Sequence, residues 1–142
     1  MIIQKEIILK PRERGFHLIT DEIASQLLNG FDKSYSGLAH IFIKHTFASL
    51  TINENADPTV RTDMETYFNK LIPESATYFM HTLEGSDDMT SHLKNSILGS
   101  SITVPITNGK LNLGTWQGIY LCEHRNYGGS RKIVVTAVLN DL

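Results

Sequence analysis

Apolar and polar residues alternate along most of the chain, and the period of that alternation changes at defined places. Residues 2–10 (Ile-Ile-Gln-Lys-Glu-Ile-Ile-Leu-Lys) are short and rich in β-branched side chains, which predicts an opening strand. A polar turn over Pro11, Arg12, Glu13 and Arg14 leads into a second strand, Gly15 to Ile19. Thr20 is expected to cap a helix with Asp21 and Glu22 in its first turn, where acids meet the positive end of the helix dipole. Ile23, Leu27 and Leu28 give that helix one apolar face, and Asn29-Gly30 ends it. Tyr35 to Lys44 carries the strongest strand pattern, followed by a short strand from Leu50 to Asn53.

At Asp57-Pro58 the period becomes helical. Asp57 caps, and Pro58 suits the first helical position because its fixed φ is helical and its missing N–H would have gone unpaired there. Val60, Met64, Tyr67, Phe68 and Leu71 continue the helix until Pro73. Residues 73–87 lack periodicity and read as a long loop, a feature often tied to function. Asp87 or Asp88 is expected to cap a third helix through His92, Leu93, Ser96 and Ile97, closed by Gly99. Ser101 to Ile106 forms a strand with Asn108-Gly109 as a hairpin turn. Gln117 to Cys122 and Lys132 to Leu139 complete the strands, the last so continuously apolar that it predicts a central or interface-buried position. Short connections between neighbouring strands allow only antiparallel pairing. The expected fold class is therefore α+β, helices packed on a largely antiparallel sheet, in one domain spanning 1–142.

Composition narrows the function classes. Charged residues make up 20% and the formal net charge is -2, with no basic stripe, which argues against a nucleic-acid partner. No apolar run approaches the ~20 residues of a membrane span, and Lys5 and Glu6 interrupt the apolar N-terminus before it can resemble a leader. Cys122 is the only cysteine, so an internal disulfide is ruled out and a reducing, cytoplasmic setting is expected.

The candidate chemistry centres on histidine. His45 ends the apolar strand, where rigid ends often carry sites. His81 lies just before the acidic run Glu84-Gly85-Ser86-Asp87-Asp88, and His92 lies on the helix after it. Neutral imidazole is the commonest metal ligand, so the pair fits a metal site assembled from separate elements. It equally fits imidazoles bonded to a neighbouring carboxylate. Asp87-Asp88 could orient an imidazole or start the helix. His17 and His40 sit in alternating strand patterns and read as structural, while His124 follows Glu123 at a strand end. Gly114-Thr-Trp-Gln-Gly118 holds the single tryptophan, as either a recognition element or a core plug. Gly128-Gly129-Ser130-Arg131, with Arg125 and Lys132 near, is a weak oxyanion signal or a plain turn.

Together these strings resemble the YjbQ family of secondary thiamine-phosphate synthases. The resemblance rests on Arg14 to His17, His45 to Asn55, Asp57 to Arg61 with Asp63, His81 with Glu84-Gly85 and Asp87-Asp88, Ser91 to Lys94, Gly114 to Gln117, and Glu123 with Gly128 to Arg131. Phe47 departs from it, standing where the family commonly has serine. The resemblance implies a homotrimer and a divalent metal, zinc foremost, held by His45, His81 and His92, with magnesium as a companion of a diphosphate substrate. It implies proton-moving or orienting roles for Asp63, Glu84, Asp88 and Glu123. Substrate contacts fall to Thr46, Ser49, Asn53, Trp116, Gln117, Arg125 and Arg131. The implied reaction joins hydroxymethylpyrimidine diphosphate to a thiazole phosphate and releases pyrophosphate, as a weak secondary activity. A trimer that binds a phosphorylated metabolite without turnover, and an enzyme with a different physiological reaction, are the alternatives.

Overall fold

The computed structural model describes residues 1–141. The elements run β1 (Ile2–Leu9), β2 (Gly15–Leu18), α1 (Thr20–Leu27), β3 (Gly37–Ile43), β4 (Ala48–Glu54), α2 (Pro58–Leu71), α3 (Ser86–Leu98), β5 (Ser101–Thr107), β6 (Lys110–Leu111), β7 (Gln117–Glu123) and β8 (Arg131–Leu139). Two sheets form, ordered β1-β8-β3-β5-β6 and β2-β7-β4. Every strand pairing is antiparallel, as the α+β reading expects.

The alternation explains how the sheets stack. In β8, Ile133, Val135, Ala137 and Leu139 point inward while Lys132 and Val138 point out. β8 is central, between β1 and β3, but only one of its faces is fully buried. Its inner face meets Ile7, Leu9, Ile41 and Ile43 from the same sheet and Leu50, Ile119 and Leu121 from the smaller one. Ile23 and Leu27 of α1 join this core. Each fully buried side chain of this kind contributes about 1.5–3 kcal/mol. The smaller sheet has a second apolar layer on its other side. There Phe16, Tyr120 and Cys122 pack on Met64 and Phe68 of α2 and Leu98 of α3. Burial on both faces accounts for the unbroken buried run from Gly118 to Glu123 in β7.

Helix starts follow the sequence at one place and depart from it at two. Asp57 caps α2 by accepting the Thr59 N–H at 2.9 Å, with Pro58 in the first turn. The Thr59 hydroxyl and amide hold the Asp57 carboxyl below its ordinary pKa. Thr20 does not cap α1. The N-cap position is Ile19, and the Thr20 hydroxyl instead accepts the Ile119 N–H at 2.9 Å, tying the helix to β7. Neither Asp87 nor Asp88 caps α3, which begins at Ser86 after Gly85 (φ 110°). Both carboxylates sit in its first turn, where the dipole favours them, and are buried. The expected hairpin forms at Asn108-Gly109, where both residues have positive φ (52° and 76°), matching a two-residue turn. Among the described residues no helix is long and apolar enough to cross a membrane.

Candidate metal centre

The site is built on the loop before α3 and on the first two turns of that helix. Glu74 anchors the loop. One carboxylate oxygen pairs with Arg14, and the other accepts the Ser86 hydroxyl at 3.3 Å, so the loop's two ends are held together. Arg14 also donates to Glu65 (3.1 Å) and to Asn69 Oδ1 (2.6 Å), which accepts the buried Lys94 ammonium at 2.7 Å as well. Burial and the nearby Arg14 push the Lys94 pKa down. This charged base holds up the segment that carries His81.

Asp88 and His92 are four residues apart on α3 and so share one helix face. The Asp88 side chain is fully buried. His81 Nε2 lies 2.8 Å from its Oδ2, and His92 Nε2 lies 3.4 Å from its Oδ1. Arg125 Nη1 donates to Oδ1 at 3.1 Å. The His81 contact lacks the direction of a hydrogen bond. Asp88 Oδ2 is thereby the one buried side-chain oxygen or nitrogen among the described residues with no hydrogen-bond partner. Asp87 and Asp88 share one guanidinium, Arg125, with Lys94 a further cation near Asp87, whereas Glu123 is matched by its own, Arg131.

The floor beneath this cluster is locked. Glu123, fully buried, receives Arg131 Nε and Nη2 at 2.8 Å each and the Arg125 backbone N–H at 3.2 Å. Gly128 passes so close to this pair that a methyl group there would overlap Glu123 Oε1. The Phe47 ring lies 4.7 Å from that of His92 and packs under Arg125 (5.0 Å) and Arg131 (6.0 Å), within cation–π range. Behind it, His124 Nε2 sits 2.8 Å from the Ser49 hydroxyl, both buried, and the His124 carbonyl accepts the Ser91 hydroxyl. Burial and the cations Lys94, Arg14 and Arg131 push His124 down to about 3. It is a neutral structural histidine.

The expected residues divide in space. His81, Asp88 and His92 converge, their ligand atoms within 4.8 Å of one another. His45 is outside that group. Its Nε2 accepts the Lys132 N–H at 2.8 Å, and burial with nearby Arg131 lowers its pKa. Asp88, to which the resemblance gave an orienting or proton-moving role, is the side chain that lies between the other two histidines. Arg125 reaches the cluster through Asp87, Asp88 and the Glu84 carbonyl (2.8 Å), so Glu84 contributes its backbone. Arg131 is 3% exposed and committed to Glu123, which leaves it no open fork for phosphate. Glu123 has both oxygens engaged, by the Arg131 guanidinium and the Arg125 backbone N–H. Ser49 is buried on His124, Thr46 is exposed, and Asp63 is exposed on α2.

Asn53, Trp116 and Gln117 lie elsewhere. Ala48 pairs with Glu123 at one end of the β4–β7 ladder and Glu54 with Gln117 at the other. Six residue steps of about 3.3 Å separate the ends by roughly 20 Å. Asn53 caps its own strand end by accepting the Glu54 N–H, Gln117 Oε1 accepts the Gly114 N–H, and Trp116 is 66% exposed. His17 and His40 lie away from the cluster, with ring nitrogens 2.6 Å from the Glu13 carbonyl and 3.2 Å from the Thr103 hydroxyl. Asp87, expected either to orient an imidazole or to start the helix, holds Arg125 and the Asn126 N–H (2.9 Å). The signal that finds the centre is the Asp88–His92 spacing, Asp-x-x-x-His on a predicted helix.

Two imidazoles and one carboxylate with an unpartnered buried oxygen form a donor set suited to a divalent transition cation, with coordination positions left for substrate or water. The fold and site thus define a class: a two-sheet antiparallel α+β protein with a histidine–carboxylate centre at one end of its inner sheet. Comparison with known proteins places it further. The family model described as UPF0047 protein YjbQ-like matches residues 5–140, and the chain belongs to this family. It is 54% identical over 136 residues to the UPF0047 protein YjbQ of Salmonella typhimurium, covering 96% of this chain and 97% of that one. It resembles a YjbQ/UPF0047-family crystal structure from Clostridium acetobutylicum (37% identity, TM-score 0.81, covering 94% of this chain and 99% of that one). It also resembles a crystal structure from Sulfolobus solfataricus described as of unknown function (25% identity, TM-score 0.85, 99% of each chain).

Proposed function

We propose that this chain is a small metal-assisted enzyme acting on phosphorylated small molecules. The observation that carries the reading is the buried, hydrogen-bond-orphaned Asp88 Oδ2 between His81 and His92. His81, Asp88 and His92 would hold a divalent cation, zinc being best suited to the donors. The cation would supply Lewis acidity toward a phosphate oxygen and neutralise charge on a leaving group. Arg125 keeps one N–H on each terminal nitrogen beyond those it spends on Asp88 and the Glu84 carbonyl, and these can take phosphate oxygens as charge-assisted bonds. The His81 side chain is 57% exposed, which leaves the centre open to an incoming substrate.

The specific reaction we assign is the thiamine-phosphate synthase type, as a transferase with weak turnover. A bond forms between the thiazole nitrogen and the pyrimidine methylene carbon while the carbon–oxygen bond breaks and pyrophosphate leaves with its electron pair. Chromatographic detection of thiamine phosphate from the two substrates, with zinc and separately with magnesium, tests it. Product from the native chain and none from His81→Ala is expected. Binding of both phosphates with no product under any metal would instead support a metabolite-binding protein.

We further propose the homotrimer. Its support is an exposed apolar row in register on the outer face of the larger sheet, where Ile2 and Leu38 both flank Val138 and Phe42 lies beside Val134. Light scattering at a mass three times that of the chain is expected. A monomer mass overturns it.

A further inference from the structure

Phe47, just before β4, is the one aromatic ring that touches both His92 and Arg125. Its backbone is held from two directions. The Phe47 carbonyl accepts the His124 N–H at 3.3 Å, beside Arg125. The carbonyl of the next residue, Ala48, accepts Asn95 Nδ2 at 2.6 Å. Asn95 lies three residues after His92 on α3 and so neighbours it on the helix surface. The segment with Phe47 is thus tied to the helix that carries His92 and to the chain that carries Arg125. The ring then meets two flat groups. The His92 imidazole lies 4.7 Å away, tilted by 55°. The Arg125 guanidinium is 5.0 Å from the ring centroid; its N–H edges go to Asp87, Asp88 and the Glu84 carbonyl, which leaves its plane to Phe47. The polar contact of His92 constrains it less, because Nε2 stands 3.4 Å from Asp88 Oδ1, long for a hydrogen bond. Packing against Phe47 and against the His81 ring, 5.3 Å away, sets the imidazole plane.

We propose that Phe47 is a positioning residue of the centre: its ring holds the His92 imidazole and the Arg125 guanidinium in the planes that aim both at Asp88. A histidine that binds a metal is ordinarily oriented by a hydrogen bond to its other ring nitrogen. Here a flat apolar face takes over that task for His92, and the same face keeps the Arg125 fork in register with the Asp88 carboxylate. The ring's effect on cation affinity rests on the proposed metal-binding reading, whereas its effect on the His92 plane stands on the packing alone. An imidazole already held in place loses less freedom when a cation binds, so affinity depends on the ring even though Phe47 supplies no ligand atom.

The test compares the native full chain with Phe47→Leu and Phe47→Met, which keep apolar bulk without a flat face, and with Phe47→Tyr, which keeps the ring. Two readouts are taken on each. In the metal-free chain, NMR cross-peaks between the His81 and His92 ring protons report the imidazole plane. They are expected in the native chain and in Phe47→Tyr, and are expected to vanish in the other two. Zinc affinity by calorimetry is expected to fall about tenfold in Phe47→Leu and Phe47→Met, the loss typical when a group that orients a ligand is removed, and to stay within about threefold in Phe47→Tyr. A purely structural ring would lower the urea midpoint of the two aliphatic variants and leave both readouts unchanged, which overturns the proposal. Cross-peaks that persist in either aliphatic variant also overturn it. Cross-peaks lost as expected in a chain that binds no zinc keep the positioning role and refute the metal reading. Unaltered zinc affinity alongside lost cross-peaks refutes the ring's effect on the cation.

Discussion

The neutral His124 behind the site makes stability depend on pH in a predictable window. In the folded chain its pKa is pushed down to about 3 by burial and by Lys94, Arg14 and Arg131. In the unfolded chain it returns to about 6.5. Below 6.5 the unfolded state takes up a proton that the folded state refuses. The contribution is therefore fully present above 6.5 and is lost progressively as pH falls toward 3. Between pH 7 and pH 5 this single group removes about 2 kcal/mol of stability. Urea unfolding of the native chain and of His124→Gln at both pH values isolates it. The variant is expected to be less stable at pH 7, because it disturbs the buried contact with Ser49, yet to lose about 2 kcal/mol less than the native chain on going to pH 5. Equal losses in the two proteins would refute the account of His124 as a histidine held neutral by its surroundings.

Other substitutions probe the floor and the divided residues. Glu123→Gln leaves Arg131 buried without a matching charge and should destabilise the chain by about 3–5 kcal/mol in urea unfolding. Gly128→Ala should lower the melting temperature, since its methyl would overlap Glu123 Oε1. His45→Ala removes the acceptor of the Lys132 N–H and should lower stability while reducing zinc affinity less than tenfold, in contrast to His92→Ala. Cys122 is fully buried, and burial raises its pKa, so it should resist thiol reagents until the chain unfolds.

Local features of the fold were legible in the sequence where one short stretch contains its own cause. Asp57-Pro58-Thr59 starts α2 within three consecutive residues, and Asn108-Gly109 turns the β5–β6 hairpin with two adjacent residues. The division into two sheets was not legible, because pairings such as β1 with β8 join residues at opposite ends of the chain. Thr20, Asp87 and Asp88 have ideal capping chemistry, but each finds a partner outside its own helix: the Ile119 N–H for Thr20, Arg125 for both aspartates, and His81 for Asp88 as well. The same competition decided the centre. His81 and His92 flank one acidic loop and converge on Asp88. His45 shared their residue type but was claimed by a backbone amide of β8 that no local pattern announces. Trp116 and Gln117 form an unusual string, yet antiparallel pairing of β4 with β7 sends them to the far end of the sheet.

The central claim is that His81, Asp88 and His92 hold one divalent cation. Zinc titration by calorimetry, with metal analysis of the purified chain, tests it most directly. The account predicts about one ion per subunit, with the double variant His81→Ala, His92→Ala losing at least about a thousandfold in affinity, as expected when two of the three protein ligands disappear. Full zinc binding by that double variant would contradict it.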